Sequence, residues 1–198
     1  MKQLIKILPK SDWQYLIPFL MCLVSFIATD IFGIIEKQNL AYWSGILIFE
    51  PYRVVTSHFI HADAQHLLAN TLGLIIARYC LKKLNLANNY FLLLLIGFLI
   101  PLQIFIFWFV DIFIFQNKMS FAIGFSGVIY GMHSFILLSA IYGKKNFMWI
   151  NIGLQRNSLI RQNLIVLTVI GLTWSLLPGI SLIGHISGLI GGGLLFLL

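Results

Sequence analysis

The stretch YFLLLLIGFLIPLQIFIFWFV, residues 90–110, runs for 21 residues without a charged side chain. A helix needs about 20 mostly apolar residues to cross the hydrocarbon core of a bilayer. The stretch therefore predicts a membrane-spanning helix. The whole chain has the same character, because 60% of its 198 residues are hydrophobic and 10% are charged, against about 25% charged residues in a soluble domain. This composition excludes a soluble enzyme, a disordered chain and a disulfide scaffold.

Reading outward from this stretch gives six apolar runs of spanning length. They cover approximately residues 15–35, 66–84, 90–110, 121–142, 159–177 and 179–197. Polar, glycine or proline residues separate them, including Lys82-Lys83, Asn117-Lys118 and Pro178-Gly179. We therefore predict an all-α membrane protein, a compact bundle of six transmembrane helices that forms a single domain over residues 1–198.

The lysines and arginines predict the orientation of this bundle. With a cytoplasmic N-terminus, three basic residues lie outside: Lys37, Arg53 and Lys118. The other ten lie at the inner face: Lys2, Lys6, Lys10, Arg78, Lys82, Lys83, Lys144, Lys145, Arg156 and Arg161. Basic residues favour the cytoplasmic side, so both termini are predicted to be cytoplasmic. Because these charges are scattered between apolar runs, the net charge of +7 does not indicate a nucleic-acid partner.

One connection differs from the others. The segment from Glu36 to Gln65 is long but contains aromatic and apolar residues such as Trp43, Phe49 and Tyr52. Loops longer than about 12–15 residues are usually functional or disordered, and this one is too apolar for disorder. We expect it to lie half-submerged in the outer membrane interface beside the bundle.

Polar groups inside spanning segments are costly and are therefore candidates for function. The sequence Gly124-Phe125-Ser126-Gly127 places a serine between glycines early in the fourth span, where a substrate can approach closely. Tyr130 follows one helical turn later on the same face. The pattern alone is also compatible with ordinary helix packing.

A second candidate lies near the start of the sixth span. Gly184, Gly188 and Gly192 recur every fourth residue beside His185, and such a stripe permits close helix contact. The fourth and sixth spans run in the same direction, so Ser126 and His185 both lie about 8–9 Å below the outer surface. A Ser–His contact would activate the serine as a nucleophile. No Asp or Glu follows Asp111, which favours a dyad over a triad.

The third candidate is His66 with Asn70, at the outer start of the second span. Residues four apart share a helix face. An acyl-transfer site needs donors directed at the developing oxyanion, and the Asn70 amide, the His66 ring and the Ser126 backbone N–H would suit this role. The alternative is that His66 and Asn70 only cap the start of the helix.

Together these motifs resemble the rhomboid family of intramembrane serine proteases. The order and spacing that match are His61-x4-His66-x3-Asn70, Gly124-Phe125-Ser126-Gly127 with Tyr130, and Gly184-His185-x2-Gly188-x3-Gly192. The resemblance implies Ser126 as nucleophile, His185 as general base, and His66, Asn70 and the Ser126 amide as the oxyanion hole. It also implies structural roles for His61 and for Arg53 in the first external loop, and makes the fifth span the side gate for substrates.

The resemblance extends to the compact rhombosortases, a bacterial subgroup, because of the short chain and the extra His58. It implies a multi-pass protein of the bacterial inner membrane whose active site opens to the periplasmic side. The partners would be the lipid bilayer and membrane-anchored protein substrates. The subgroup implies removal of a C-terminal anchor made of Gly-Gly, an apolar helix and a basic tail. The loop carries Tyr52-Arg53 where the family usually has Trp-Arg.

Two other interpretations remain open from the sequence. A rhomboid-like protein without catalysis would serve as a membrane chaperone or trafficking factor, although such members usually lose the serine or the histidine and this chain has both. A haem-binding or metal-binding membrane protein would use the five histidines. The sequence has no His-Glu-x-x-His, and Asp63 is the only carboxylate among the histidines. We expect no cofactor and no metal.

Overall fold

The computed structural model describes residues 13–88 and 90–198. The described chain is mostly helical. Its helices are α1 (Trp13–Phe26), α2 (Lys37–Leu40), α3 (Arg53–Thr56), α4 (Ala64–Lys83), α5 (Phe91–Phe109), α6 (Ser126–Tyr142), α7 (Ser158–Trp174) and α8 (Leu182–Leu197). Its strands are β1 (Tyr42–Trp43), β2 (Phe121–Ala122), β3 (Lys144–Phe147) and β4 (Ile150–Leu154). Lys2, Lys6 and Lys10, used above for orientation, lie outside the described residues.

Within the described residues, two helices are long and apolar enough to cross a membrane. They are α1 and α5, which continue as short π-helical turns to give apolar helices over Trp13–Ile31 and Phe91–Ile114. The apolar helices α6, α7 and α8 are shorter, with 16 or 17 residues each. The six-span arrangement therefore stays a prediction.

The helices α6 and α8 start later than the predicted spans at 121 and 179. Residues 121–122 form β2, and Gly124 has a φ of +111°, so the chain cannot enter α6 before it turns at this glycine. The chain before α8 turns at Gly179, and the Ser181 hydroxyl then caps the helix by accepting from the Gly184 N–H at 3.1 Å. Both candidate catalytic residues consequently lie in the first turn of a helix.

Close packing of α6 against α8 forms the centre of the bundle. A Cβ added at Gly188 would overlap the Gly127 carbonyl oxygen, and one added at Gly192 would overlap the Gly131 carbonyl oxygen. Only glycine permits two helix backbones to approach this closely. The glycine stripe thereby holds the first turns of α6 and α8 together.

Two small antiparallel sheets depart from the all-α prediction. In one, Tyr42 pairs with Ala122 and Trp43 with Phe121, which joins the external segment to the residues just before α6. In the other, β3 pairs with β4 between α6 and α7. Both sheets lie at ends of the helical bundle, where local pairing satisfies backbone groups that no helix can satisfy.

The external segment from Glu36 to Gln65 is partly built into the protein. Tyr42 is fully buried, stacks on Phe107 with ring centroids 4.7 Å apart, and donates a hydrogen bond of 2.8 Å to Asp111. Ile48 and Phe49, in contrast, are 69% and 83% exposed. One side of the segment therefore packs on α5, while the other presents large apolar side chains.

Candidate active site

The Ser126 and His185 side chains meet at the first turns of α6 and α8. His185 Nε2 lies 2.8 Å from Ser126 Oγ, which is hydrogen-bond distance, although the two residues are 59 positions apart. His185 is 8% exposed, so little of its ring is available to solvent. A serine hydroxyl in this contact can lose its proton to the unprotonated ring nitrogen of the histidine.

Tyr130 fixes the plane of the His185 ring. The two rings are stacked with centroids 4.3 Å apart and an interplanar angle of 19°. The hydroxyl end of Tyr130 lies against α7, where a Cβ added at Gly171 would overlap it. Tyr130 therefore packs between the histidine and α7.

Ser175, which the sequence analysis did not single out, contacts the other side of the histidine. Its Oγ lies 2.6 Å from His185 Nδ1 and 2.7 Å from the Gly171 carbonyl oxygen. The residue ends α7 and is 2% exposed. No motif marks this serine, because its proximity to His185 depends on how α7 packs and how the chain turns before α8.

His66 and Asn70 face the backbone just before Ser126. A Cβ added at Gly124 would lie 2.6 Å from His66 Nε2 and 3.5 Å from Asn70 Nδ2. Asn70 Nδ2 is buried and makes no hydrogen bond to any described residue. An unpaired buried amide is costly, so this donor is available to an acceptor placed beside Gly124. The arrangement suits a site for a developing oxyanion.

The start of α4 is capped chiefly by another residue. The Asp63 side chain accepts a hydrogen bond of 2.8 Å from the His66 N–H. Asn70 is the seventh residue of α4, beyond the reach of a cap. The His66 ring accepts only a long contact of 3.5 Å from the Ala62 N–H. The capping interpretation thus explains neither the Asn70 amide nor the position of the His66 ring.

A small cavity of about 30 Å³ adjoins the Ser126–His185 pair. Gln103 and His58 line this cavity. The Gln103 amide donates a hydrogen bond of 3.1 Å to the Gly184 carbonyl oxygen, and His58 Nε2 lies 3.3 Å from the Ile100 carbonyl oxygen. Gly127 also lines the cavity, and a Cβ there would press on the Gln103 amide at 2.8 Å. The cavity has room for a water molecule or a very small side chain.

Arg53 holds the external segment beside this site, and His61 lies against the His66 ring. The buried Arg53 guanidinium donates hydrogen bonds of 2.7 Å to the carbonyl oxygens of Gln38 and Ala41, and it pairs with Glu50. A hydrogen bond from Tyr52, and to a lesser extent one from Arg53, lowers the pKa of the exposed Glu50 carboxyl. His61 is fully buried, with its ring centroid 5.1 Å from that of His66. The structural roles of Arg53 and His61 that the resemblance implies stay predictions.

The histidines do not form a metal-binding group. In residues 13–88 and 90–198, no three His, Cys, Asp or Glu side chains converge closely enough to hold a metal ion. The structure therefore offers no support for the metal-binding interpretation.

Comparison with known proteins defines the class and then the family. The apolar helices and the matched domain point to a membrane protein. The family model of the rhomboid domain matches residues 49–198, about three quarters of the chain. The chain therefore belongs to the rhomboid family, which generally comprises intramembrane serine proteases. This confirms the family predicted from the motifs. No curated protein matches the chain at a significant level.

Proposed function

We propose that this protein is an active intramembrane serine protease with a Ser126–His185 dyad. The single observation that carries the proposal is the 2.8 Å contact between His185 Nε2 and Ser126 Oγ. In this assignment Ser126 is the nucleophile and His185 the general base. Gly188 and Gly192 bring the two helices together, and Tyr130 holds the histidine ring by stacking.

The reaction follows from this geometry. Ser126 Oγ attacks the carbonyl carbon of the scissile peptide bond while its proton moves to His185 Nε2. The Asn70 amide, the His66 ring and the Ser126 backbone N–H stabilise the oxyanion; loss of one such donor typically reduces kcat about 10²–10³-fold. His185 returns the proton to the leaving amine, and water then hydrolyses the acyl-enzyme.

The proposed orientation places the site toward the outer side of six spanning helices. Ser126 and His185 lie at the N-terminal ends of α6 and α8, whereas Lys82 and Lys83 end α4 and Lys144 follows α6. The basic residues are thus at the opposite helix ends from the site, and basic residues favour the cytoplasmic side. We place both termini in the cytoplasm and the protein in a bacterial inner membrane.

The proposed substrates are membrane-anchored proteins cleaved in or beside a transmembrane helix. The finer proposal is rhombosortase-type cleavage at Gly-Gly, and the small cavity beside Ser126 suits residues of this size. A reporter with a C-terminal Gly-Gly, apolar helix and basic tail would be cleaved in the bilayer. The same reporter with Val-Val in place of Gly-Gly would be cleaved far more slowly.

A fluorophosphonate probe tests the dyad in detergent-purified protein. Wild type should be labelled, and Ser126→Ala and His185→Ala should lose the label. Ser139→Ala is the matched control, because Ser139 is another buried serine of α6. Its hydroxyl donates a hydrogen bond of 2.8 Å to the Phe135 carbonyl oxygen. Labelling retained in Ser126→Ala would remove the nucleophile assignment. An unlabelled wild type that also cleaves no reporter would favour the non-catalytic chaperone interpretation.

A further inference from the structure

The hydroxyl of Ser175 stands where a serine protease triad has its carboxylate. We infer that Ser175 is a positioning residue that keeps His185 in the tautomer protonated at Nδ1, so that Nε2 is free to accept the proton of Ser126. The inference rests on the proposed function and adds a third residue to its dyad. It concerns a side chain at the end of α7, a helix that contributes no other polar contact to the histidine among the described residues.

The hydrogen bonds around Ser175 determine this assignment. The hydroxyl has a single hydrogen, and it lies 2.7 Å from the Gly171 carbonyl oxygen and 2.6 Å from His185 Nδ1. It also makes a hydrogen bond with the Tyr130 hydroxyl, which has a hydrogen of its own to donate to Ser175 Oγ. The Gly171 carbonyl oxygen accepts from the Ser175 backbone N–H at 3.0 Å and, with its second lone pair, from the Ser175 hydroxyl, which directs its hydrogen at this oxygen. Ser175 Oγ then accepts from His185, which requires a hydrogen on Nδ1.

The consequence passes through the imidazole ring to Ser126. A neutral imidazole has one N–H, and when this is at Nδ1 the Nε2 atom is an acceptor. Ser126 therefore donates to His185 across the 2.8 Å contact, as a nucleophile must. The opposite tautomer would donate from Nε2 to Ser126 and could not act as its base.

Ser175 retains its function during the reaction. When the proton of Ser126 moves to Nε2, the ring becomes an imidazolium and still donates from Nδ1 to Ser175 Oγ. The hydroxyl is neutral, so it orients this cation without contributing a full negative charge. Since no Asp or Glu follows Asp111 in the sequence, a hydroxyl is the polar group that this part of the chain supplies.

Kinetics of the purified protein with a membrane-anchored reporter test the positioning role. We expect Ser175→Ala to lower kcat about 5–10-fold, in keeping with the loss of one neutral hydrogen bond, with KM unchanged. Ser175→Thr retains the hydroxyl and should restore most of kcat. Thr173→Ala is the matched control. Like Ser175, Thr173 donates a hydroxyl hydrogen bond to the carbonyl oxygen four residues earlier, in this case Val169 at 2.9 Å, but it does not touch His185.

A spectroscopic readout separates this inference from the proposed function. In protein labelled with ¹⁵N-histidine at neutral pH, the ring shifts of His185 show which nitrogen is protonated, and His185→Gln identifies its signals. Wild type and Ser175→Thr should show hydrogen at Nδ1, and Ser175→Ala should show a mixture of tautomers. A wild-type ring protonated at Nε2, or a tautomer and kcat unchanged in Ser175→Ala, would overturn the inference. Cleavage retained in Ser126→Ala would instead contradict the proposed function and leave the tautomer result to decide the role of Ser175.

Discussion

The contact between α6 and α8 and the contacts of α7 differ in kind. Ten residues of α6 are buried, and its backbone touches that of α8 at Gly188 and Gly192. The 17-residue α7 buries two residues, Ile160 and Leu164, and exposes long apolar side chains such as Val169 and Ile170. The reacting pair lies on the tightly packed helices, while Ser175 reaches it from the loosely packed one.

This difference separates two requirements of a protease site. The distance between nucleophile and base is held by two backbones that cannot move apart without losing close packing over several turns. The orientation of the base depends on side-chain contacts with α7, which has little buried surface to hold it. Substitutions at the α6–α8 contact should therefore reduce stability, whereas substitutions at the α7 positions that face Tyr130 and His185 should mainly reduce activity.

The largest effect is expected at the α6–α8 contact. Gly192→Ala places a methyl group on the Gly131 carbonyl oxygen, which can relax only if the helices separate. We expect a loss of about 3 kcal/mol or more in the free energy of unfolding, the upper end of overpacking costs. Unfolding in detergent micelles measures it. Gly193→Ala is the control, since the nearest atom to its added methyl group would be Ser134 Oγ at 3.7 Å. Equal losses of unfolding free energy in the two variants would contradict the close-packing account.

The next effect concerns the small buried surface of α7. Leu164 is fully buried, and Leu164→Ala should cost about 2–3 kcal/mol of stability through the cavity it leaves. Val169 is 58% exposed, so Val169→Ala should change the unfolding free energy by less than about 0.5 kcal/mol. Chemical unfolding of both variants gives the comparison. A large loss in Val169→Ala would mean that α7 is held more tightly than its exposure indicates.

Tyr130 connects the two regions and should affect activity more than stability. Tyr130→Ala removes the ring stacked on His185, and aromatic stacking is worth about 0.5–1.5 kcal/mol. We expect kcat to fall about tenfold at most. Tyr130→Phe keeps the stacked ring and should stay within about twofold of wild type. Reporter cleavage measures both, and a Phe variant as impaired as the Ala variant would assign the effect to the hydroxyl.

The smallest effect is expected at Gly171 on α7. A methyl group there meets the Tyr130 hydroxyl, the end of a side chain that can shift by a small rotation. Gly171→Ala should therefore cost less than about 1 kcal/mol of stability while lowering reporter cleavage severalfold. Gly97→Ala, with no atom within 4 Å of the added methyl, should leave cleavage unchanged. An unfolding loss as large as that of Gly192→Ala would erase the distinction between the regions.

The sequence predicted the family and the residues that belong to its motifs. Counting residues from the outer ends of two spans that run in the same direction predicted that Ser126 and His185 lie at the same depth in the membrane. In the structure, their side chains are 2.8 Å apart. This argument works because it needs only the helix rise and the chain direction. The catalytic roles, the six spans and the rhombosortase subgroup stay predictions.

Features that depend on tertiary packing could not be predicted in the same way. The late start of α6 depends on the pairing of β2 with β1, in which Phe121 pairs with Trp43, 78 residues earlier in the chain. The contact of Ser175 with His185 depends on the turn around Gly179 between α7 and α8. No local periodicity reports such contacts, since they form only when distant elements meet.

The glycine contact between α6 and α8 also has a consequence for biogenesis. Gly131 and Gly192 are 61 positions apart, and α7 is made between them. At synthesis rates of about 5–20 residues per second, the glycine surface of α6 stays uncovered for about 3–12 s before α8 is made. During this interval any neighbouring helix with small residues could dock there, so the nascent chain is most vulnerable to wrong partners before α8 emerges.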